Sequence, residues 1–160
     1  MTNQTLSAER ARELFSYDPL TGVFTRRAGP FAGRTTGTVS RGGYVYIGYG
    51  KSRYLAHRLA WLMSSGGWPQ HDVDHVNGDK ADNSLKNLRD IPHRANCENQ
   101  RQAHLDSRSG GMGVVQRGRR FRAYITLKGK AKYLGSFSTP EAAHEAYLIA
   151  KRELHTGCTI

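Results

Sequence analysis

Between Val73 and Asn96 the chain places an Asp beside a His, an Asn twelve positions past that His, and a second Asn nine positions further on. Polar residues at this spacing can close a compact strand, strand, helix unit around one divalent ion. No other stretch of the 160 residues restricts the fold as much. Residues 71–76 predict a strand, and residues 77–83 a turn-rich loop, since Asn77-Gly78 is a strong turn signal. Residues 85–89 predict the entry to a second strand. Pro92 then suits a first helical position, and His93, Asn96, Asn99 and Gln100 follow at helical spacings of three and four, on the side expected to face the Asp-His pair. Successive strand residues point to opposite faces, so bringing Asp74 and His75 to one site requires a bulge or the end of the strand there.

The chemistry of these side chains is specific. A carboxylate and an amide oxygen are hard ligands that suit Mg²⁺ or Mn²⁺, and two protein ligands leave positions for water and phosphate oxygens. A neutral imidazole, with an ordinary pKa near 6.5, accepts a proton from water at neutral pH. Two other readings compete: the Asp and Asn residues of 77–83 are ordinary turn formers, and a His and Asp cluster also suits a structural zinc. Cys97 and Cys158 lie far apart with no Cys-x-x-Cys pair, which disfavours a disulfide framework and a thiolate zinc site.

Charge indicates the partner. The chain carries 24 Lys and Arg against 13 Asp and Glu, a net charge of +11. Such a balance favours a polyanion, because cationic side chains that neutralise phosphates release condensed counterions. Residues 1–56 hold eight basic against three acidic residues, residues 57–100 five against six, and residues 101–160 eleven against four. A slightly acidic centre between two basic flanks is a place for a cation between protein and phosphate backbone. A membrane surface is the rival partner, yet no apolar run approaches the roughly 18 residues of a spanning helix, and the N-terminus lacks the apolar core of a signal peptide. The expected location is the cytoplasm of a bacterial or phage-infected host cell.

The flanking segments read as small sheets. Residues 7–15 predict a short helix with Ser7 as N-cap, residues 17–22 a Pro- and Gly-containing turn, and residues 23–25 a strand leaving it. Residues 44–48 and 53–55 form a second hairpin around Gly50-Lys51, punctuated by Arg41, Lys51 and Arg53. Residues 57–63 predict a helix ended by Gly66-Gly67. His57 at its start is assigned to structure and left outside the candidate site. Beyond Gln102 a Ser- and Gly-rich stretch predicts a domain boundary near residue 105. Phe121, Ala123, Ile125 and Leu127 then alternate with Arg122, Tyr124, Thr126 and Lys128, giving a strand with one apolar face. Residues 133–137 form a further strand, distorted at Gly135. Thr139 and Pro140 open a helix with an apolar stripe of Ala143, Ala146, Tyr147, Ala150 and Leu154. Arg117, Arg119, Arg120, Arg122, Tyr124, Lys130, Lys132 and Tyr133 are left on the sheet or its edges as candidate DNA-binding residues.

Asp74-His75-Val76-Asn77-Gly78, Asn83, Asn87-Leu88-Arg89 and Asn96-x-x-Asn99, preceded by His57-Arg58-Leu59-Ala60-Trp61, resemble the HNH nucleases with a ββα-metal site, in particular the HNH homing endonucleases of phages. The resemblance implies a hydrolase cutting DNA phosphodiesters, with Asp74 and Asn96 holding a divalent metal, His75 as general base and Asn87 orienting the His75 ring. Gly113-Val114-Val115, Arg122-Ala123-Tyr124-Ile125, Tyr133-Leu134-Gly135-Ser136-Phe137 and Pro140-Glu141-Ala142-Ala143 resemble the AP2-type DNA-binding domain, with Phe121 and Tyr133 standing where Trp is common. The expectation is an α+β protein: residues 1–105 a ββα-metal HNH nuclease region with a small basic N-terminal sheet, and residues 106–160 an AP2-like three-stranded antiparallel sheet packed on one helix. Its partner is double-stranded DNA, with no membrane and no evident protein partner. A non-catalytic DNA-binding regulator with a decayed HNH site, and an RNA-binding protein, are the alternatives.

Overall fold

The structure is a computed structural model that describes residues 6–98 and 112–155. It is a mixed α+β chain dividing into two compact units, Met1–Pro92 and His93–Ile160.

The first unit begins with α1 (Ala8–Leu14), whose N-cap Ser7 accepts a hydrogen bond from the Arg10 amide and whose Ala8, Ala11 and Leu14 are buried at helical spacing. The helix stops one residue before the expected end. Phe15 is extended and opens β1 (Phe15–Tyr17), which pairs antiparallel with β2 (Phe24–Arg26); β3 (Thr35–Thr36) adds to the other side of β2. A second antiparallel sheet contains β4 (Thr38–Val39), β5 (Val45–Tyr49) and β6 (Ser52–Leu55) in that order. It leads directly into α2 (Ala56–Ser65), where Gly66 at φ 84° closes the helix by donating to the Leu62 carbonyl.

The Asp-His segment follows. Strand β7 (Asp72–His75) pairs antiparallel with β8 (Leu88–Ile91). The second strand begins later than expected, because residues 85–87 close a single 3₁₀ turn before the chain extends. Val73 and Leu88 enter the same buried cluster as Leu14, Phe15, Phe24, Ile47, Leu59 and Leu62. The N-terminal helix, both small sheets, α2 and the β7–β8 hairpin therefore share one apolar core, with each fully buried large side chain contributing about 1.5–3 kcal/mol.

The second unit contains α3 (His93–Glu98) and a three-stranded antiparallel sheet, β9 (Val114–Arg117), β10 (Arg120–Leu127) and β11 (Lys130–Phe137), with β10 central. Ala123 and Ile125 are buried while Arg122 and Thr126 are exposed, as the alternation requires. The β10–β11 register shifts between Ala123 and Tyr124, next to Gly135 at φ 143°, so the expected distortion is a local slip that passes over Leu134. Helix α4 (Pro140–Leu154) has Thr139 as N-cap and buries Ala143, Tyr147 and Ala150. Two positions depart from the predicted stripe. Leu154, in the last turn, is exposed, and Lys151 is buried with its ammonium 5.8 Å from the Tyr147 ring. Asn99, Gln100 and the boundary expected near residue 105 lie outside the described residues. Among those described, no helix is long and apolar enough to cross a membrane.

Candidate active site

The β7–β8 ladder runs without a bulge from the Asp72–Ile91 pair to the His75–Leu88 pair, and the strand stops at His75. Alternation is therefore preserved. Val73 and His75 are buried while Asp72 and Asp74 are only partly so. Of the two devices expected to turn Asp74 and His75 toward one site, only the strand end is present, and the two side chains leave the strand on opposite sides. Asp74 lies directly across from Arg89 and accepts from it through one carboxylate oxygen: Oδ2 is 2.9 Å from Nε and 2.8 Å from the nearer terminal nitrogen. A carboxylate is a hard ligand for a divalent ion, and a metal at Asp74 would compete with Arg89 for it.

His75 is 4% exposed. Its ring sits 5.0 Å from that of His57, edge to face, and 6.2 Å from that of Tyr44, and Tyr44 also lies 5.4 Å from His57. Burial holds the His75 pKa below its ordinary value, opposed by its contact with Asn83 and by the charges of Asp74, Asp79 and Asp82. The ring is therefore neutral at pH 7, the state a proton acceptor needs.

Among the described residues, the polar atom that meets that ring is Asn83 Oδ1, 3.4 Å from Nε2. Asn83 is itself 2% exposed, and its Nδ2 donates to the Ala81 carbonyl at 2.9 Å, which turns Oδ1 toward the imidazole. An amide oxygen only accepts, so Nε2 carries the proton and Nδ1 keeps the basic lone pair. Asn87, expected to orient this ring, is placed differently. Its Oδ1 accepts from the Asn77 amide at 2.9 Å and its Nδ2 donates to the Asp82 carbonyl at 2.8 Å, so it pins the loop between the strands. Asn83, read from the sequence as a turn residue, holds the position next to the imidazole. No local signal separates it from Asn77 or Asp82, because its burial depends on residues more than sixty positions earlier.

His57 also belongs to this ring cluster. It is 4% exposed, its Nδ1 is buried without a hydrogen-bond partner, and burial, reinforced by repulsion from His75 and Arg58, pushes its pKa down to about 3. The unfolded chain binds a proton here near pH 6.5 and the folded chain does not, so stability is full above pH 6.5 and falls as pH drops from 6.5 towards 3. The expected loss is up to about 1.4 kcal/mol per pH unit in that window. Thermal unfolding at pH 7 and pH 5 checks it: His57→Phe should flatten the acid decline, and an equally steep decline in that variant would assign it to other groups.

Asn96 lies on α3, in the second unit, and is partly buried. Among the eight candidate DNA-binding residues, Arg117, Arg119, Arg122, Lys130 and Lys132 are exposed, and Tyr124 and Tyr133 pair their rings at 5.4 Å with Tyr133 53% exposed. Arg120 is committed within the sheet, donating to the Ser136 hydroxyl at 3.0 Å and the Ser136 carbonyl at 2.7 Å. No three His, Cys, Asp or Glu side chains gather into a metal-binding group among the described residues.

Residues 54–97 match the family model of the HNH endonuclease. The match covers α2, β7, the loop, β8 and most of α3, and it supports an HNH nuclease acting on DNA, a family generally dependent on a divalent metal. No curated protein and no solved structure matches the chain.

Proposed function

We propose that the chain is a metal-dependent DNA endonuclease of the HNH homing type, cutting phosphodiesters at a preferred site. The observation that carries this reading is a neutral, buried imidazole at the end of β7, one residue from a partly buried carboxylate and inside the stretch that matches the HNH model. Asp74 and Asn96 are assigned to hold Mg²⁺ or Mn²⁺. When bound, the ion supplies Lewis-acid stabilisation of charge on the phosphate and the leaving oxygen. His75 accepts the proton of the attacking water at Nδ1, and Asn87 keeps the 77–82 loop in the shape that frames it. The face of the C-terminal sheet turned away from α4, read as AP2-like, tracks the DNA through Arg122, Tyr124 and Tyr133.

A non-catalytic DNA-binding regulator is favoured by one feature, the exit of Asp74 and His75 on opposite sides of an unbulged strand. Plasmid cleavage separates the two readings. Supercoiled DNA should become nicked or linear with Mg²⁺ or Mn²⁺ and remain intact in EDTA. Protein that binds the plasmid but never cuts it at any metal concentration supports the regulator, and cutting that survives chelation removes the metal from the proposal.

A further inference from the structure

The geometry points to Asn83 as a positioning residue for His75, held in place by the β1–β2 hairpin, which lies outside the stretch that matches the HNH model. The inference rests on the nuclease reading for His75, but it concerns a different residue and a part of the chain that reading does not use.

Three contacts fasten the hairpin to the backbone that carries Asn83. The Tyr17 hydroxyl donates to the Asn83 carbonyl at 2.8 Å. The Leu85 amide donates to the Pro19 carbonyl, also at 2.8 Å. Gly22 lies so close that a Cβ built on it would stand 2.5 Å from both the Asn83 carbonyl carbon and the Ser84 nitrogen. The hairpin is itself rigidly based, since the Tyr17 ring packs at 4.8 Å on Phe24, which is 2% exposed in the main core. Burial raises the Tyr17 phenol to about 12, so the donor stays protonated at any working pH.

The consequence for the site is selective. With its backbone fixed from one side and its Nδ2 tied to Ala81 on the other, Asn83 can present only Oδ1 to the imidazole. That choice decides which ring nitrogen is protonated. If Nδ1 took the proton, Nε2 and Oδ1 would be two acceptors facing each other in a buried space. Neither Asn87, which holds the loop, nor His57, whose contact is through its ring, substitutes for this. Asn83 thus acts through His75 and touches no substrate: it keeps the lone pair on Nδ1 before DNA arrives, which is the preorganisation that supporting partners of reactive imidazoles supply.

The test combines a spectroscopic readout with kinetics on the full-length chain. Protein labelled with ¹⁵N at histidine, at about pH 8 where the imidazole is neutral, should show His75 with Nε2 protonated and Nδ1 bare. Asn83→Ala should mix the two tautomers and lower single-turnover cleavage by about 10–100-fold, the usual effect of losing a supporting partner. DNA affinity in Ca²⁺ should stay unchanged. A wild-type ring protonated at Nδ1, or an Asn83→Ala protein that cuts at the wild-type rate, would each overturn the assignment. The wild-type tautomer needs no variant to fold. A chain that shows the expected tautomer yet never cuts DNA overturns the nuclease reading and leaves the Asn83–His75 contact standing.

Discussion

His75→Ala leaves DNA and metal binding near normal and lowers single-turnover cleavage by about 10²–10⁴-fold, the usual contribution of a positioned acid or base. The expectation follows from where the ring sits. It is buried against His57 and Tyr44, is neutral at working pH, and has Nε2 facing Asn83, so the proposed proton acceptor is Nδ1. Removing a buried ring also opens a cavity, which destabilises the fold. Unfolding must therefore be measured beside cleavage, and the assay run well below the midpoint. Asp74→Ala fails in another way. It removes a proposed metal ligand and leaves Arg89 without the carboxylate that engages two of its nitrogens, so metal affinity drops and excess Mn²⁺ restores part of the rate. No metal concentration restores His75→Ala. Wild-type turnover in that variant would refute the general base and move the reading to the DNA-binding regulator.

Helix caps were readable in the sequence because they are local: Ser7 and Thr139 precede their helices, and each accepts from an amide three residues on. The alternation from Arg120 to Leu127 was readable because one face of β10 must be apolar to meet α4. The Asp-His step was readable as a motif, and so was the difficulty it raises, since period-two alternation is a property of any strand. What the ladder did with that difficulty was not. Whether β7 bulges or ends depends on its pairing with β8, thirteen or more residues later in the chain, and it ends.

The residues that fix the His75 ring were less accessible still. Asn83 sits in a loop of Asn and Asp residues that all satisfy turn rules, and only the docking of Tyr17, Pro19 and Gly22 makes it the buried one. Sequence spacing carries no signal for a contact between residues 17 and 83. His57, a lone histidine at a helix start, reads as structural in the sequence. It does pack in the core, yet it packs against the proposed base, because α2 and the end of β7 converge there. Asn87 illustrates the opposite case: its motif position was plain, but both its side-chain bonds go to loop backbone.

Gly22→Ala should destabilise the first unit by about 2–5 kcal/mol and slow cleavage as well, although the residue lies more than fifty positions from His75 in the chain. Two costs combine. Gly22 has φ 76°, where an L side chain costs about 1–2 kcal/mol, and its new Cβ would meet backbone atoms of Asn83 and Ser84 at 2.5 Å, a clash that no side-chain rotation relieves. Overpacking of that kind adds about 1–3 kcal/mol as the hairpin backs away. Gly33 provides the control. It has nearly the same φ, 81°, with nothing within 4 Å of its Cβ position, so Gly33→Ala carries the backbone cost alone. In a unit of this size each kcal/mol moves the melting midpoint by about 4–8 °C, so the two variants should separate by at least several degrees. Their cleavage should separate too, because only Gly22→Ala pushes on the backbone that aims Asn83 at the imidazole. Equal melting points for the two variants would show that the hairpin does not bear on the loop. A destabilised Gly22→Ala protein that still cuts at the wild-type rate below its midpoint would show that the hairpin supports the fold without positioning the base.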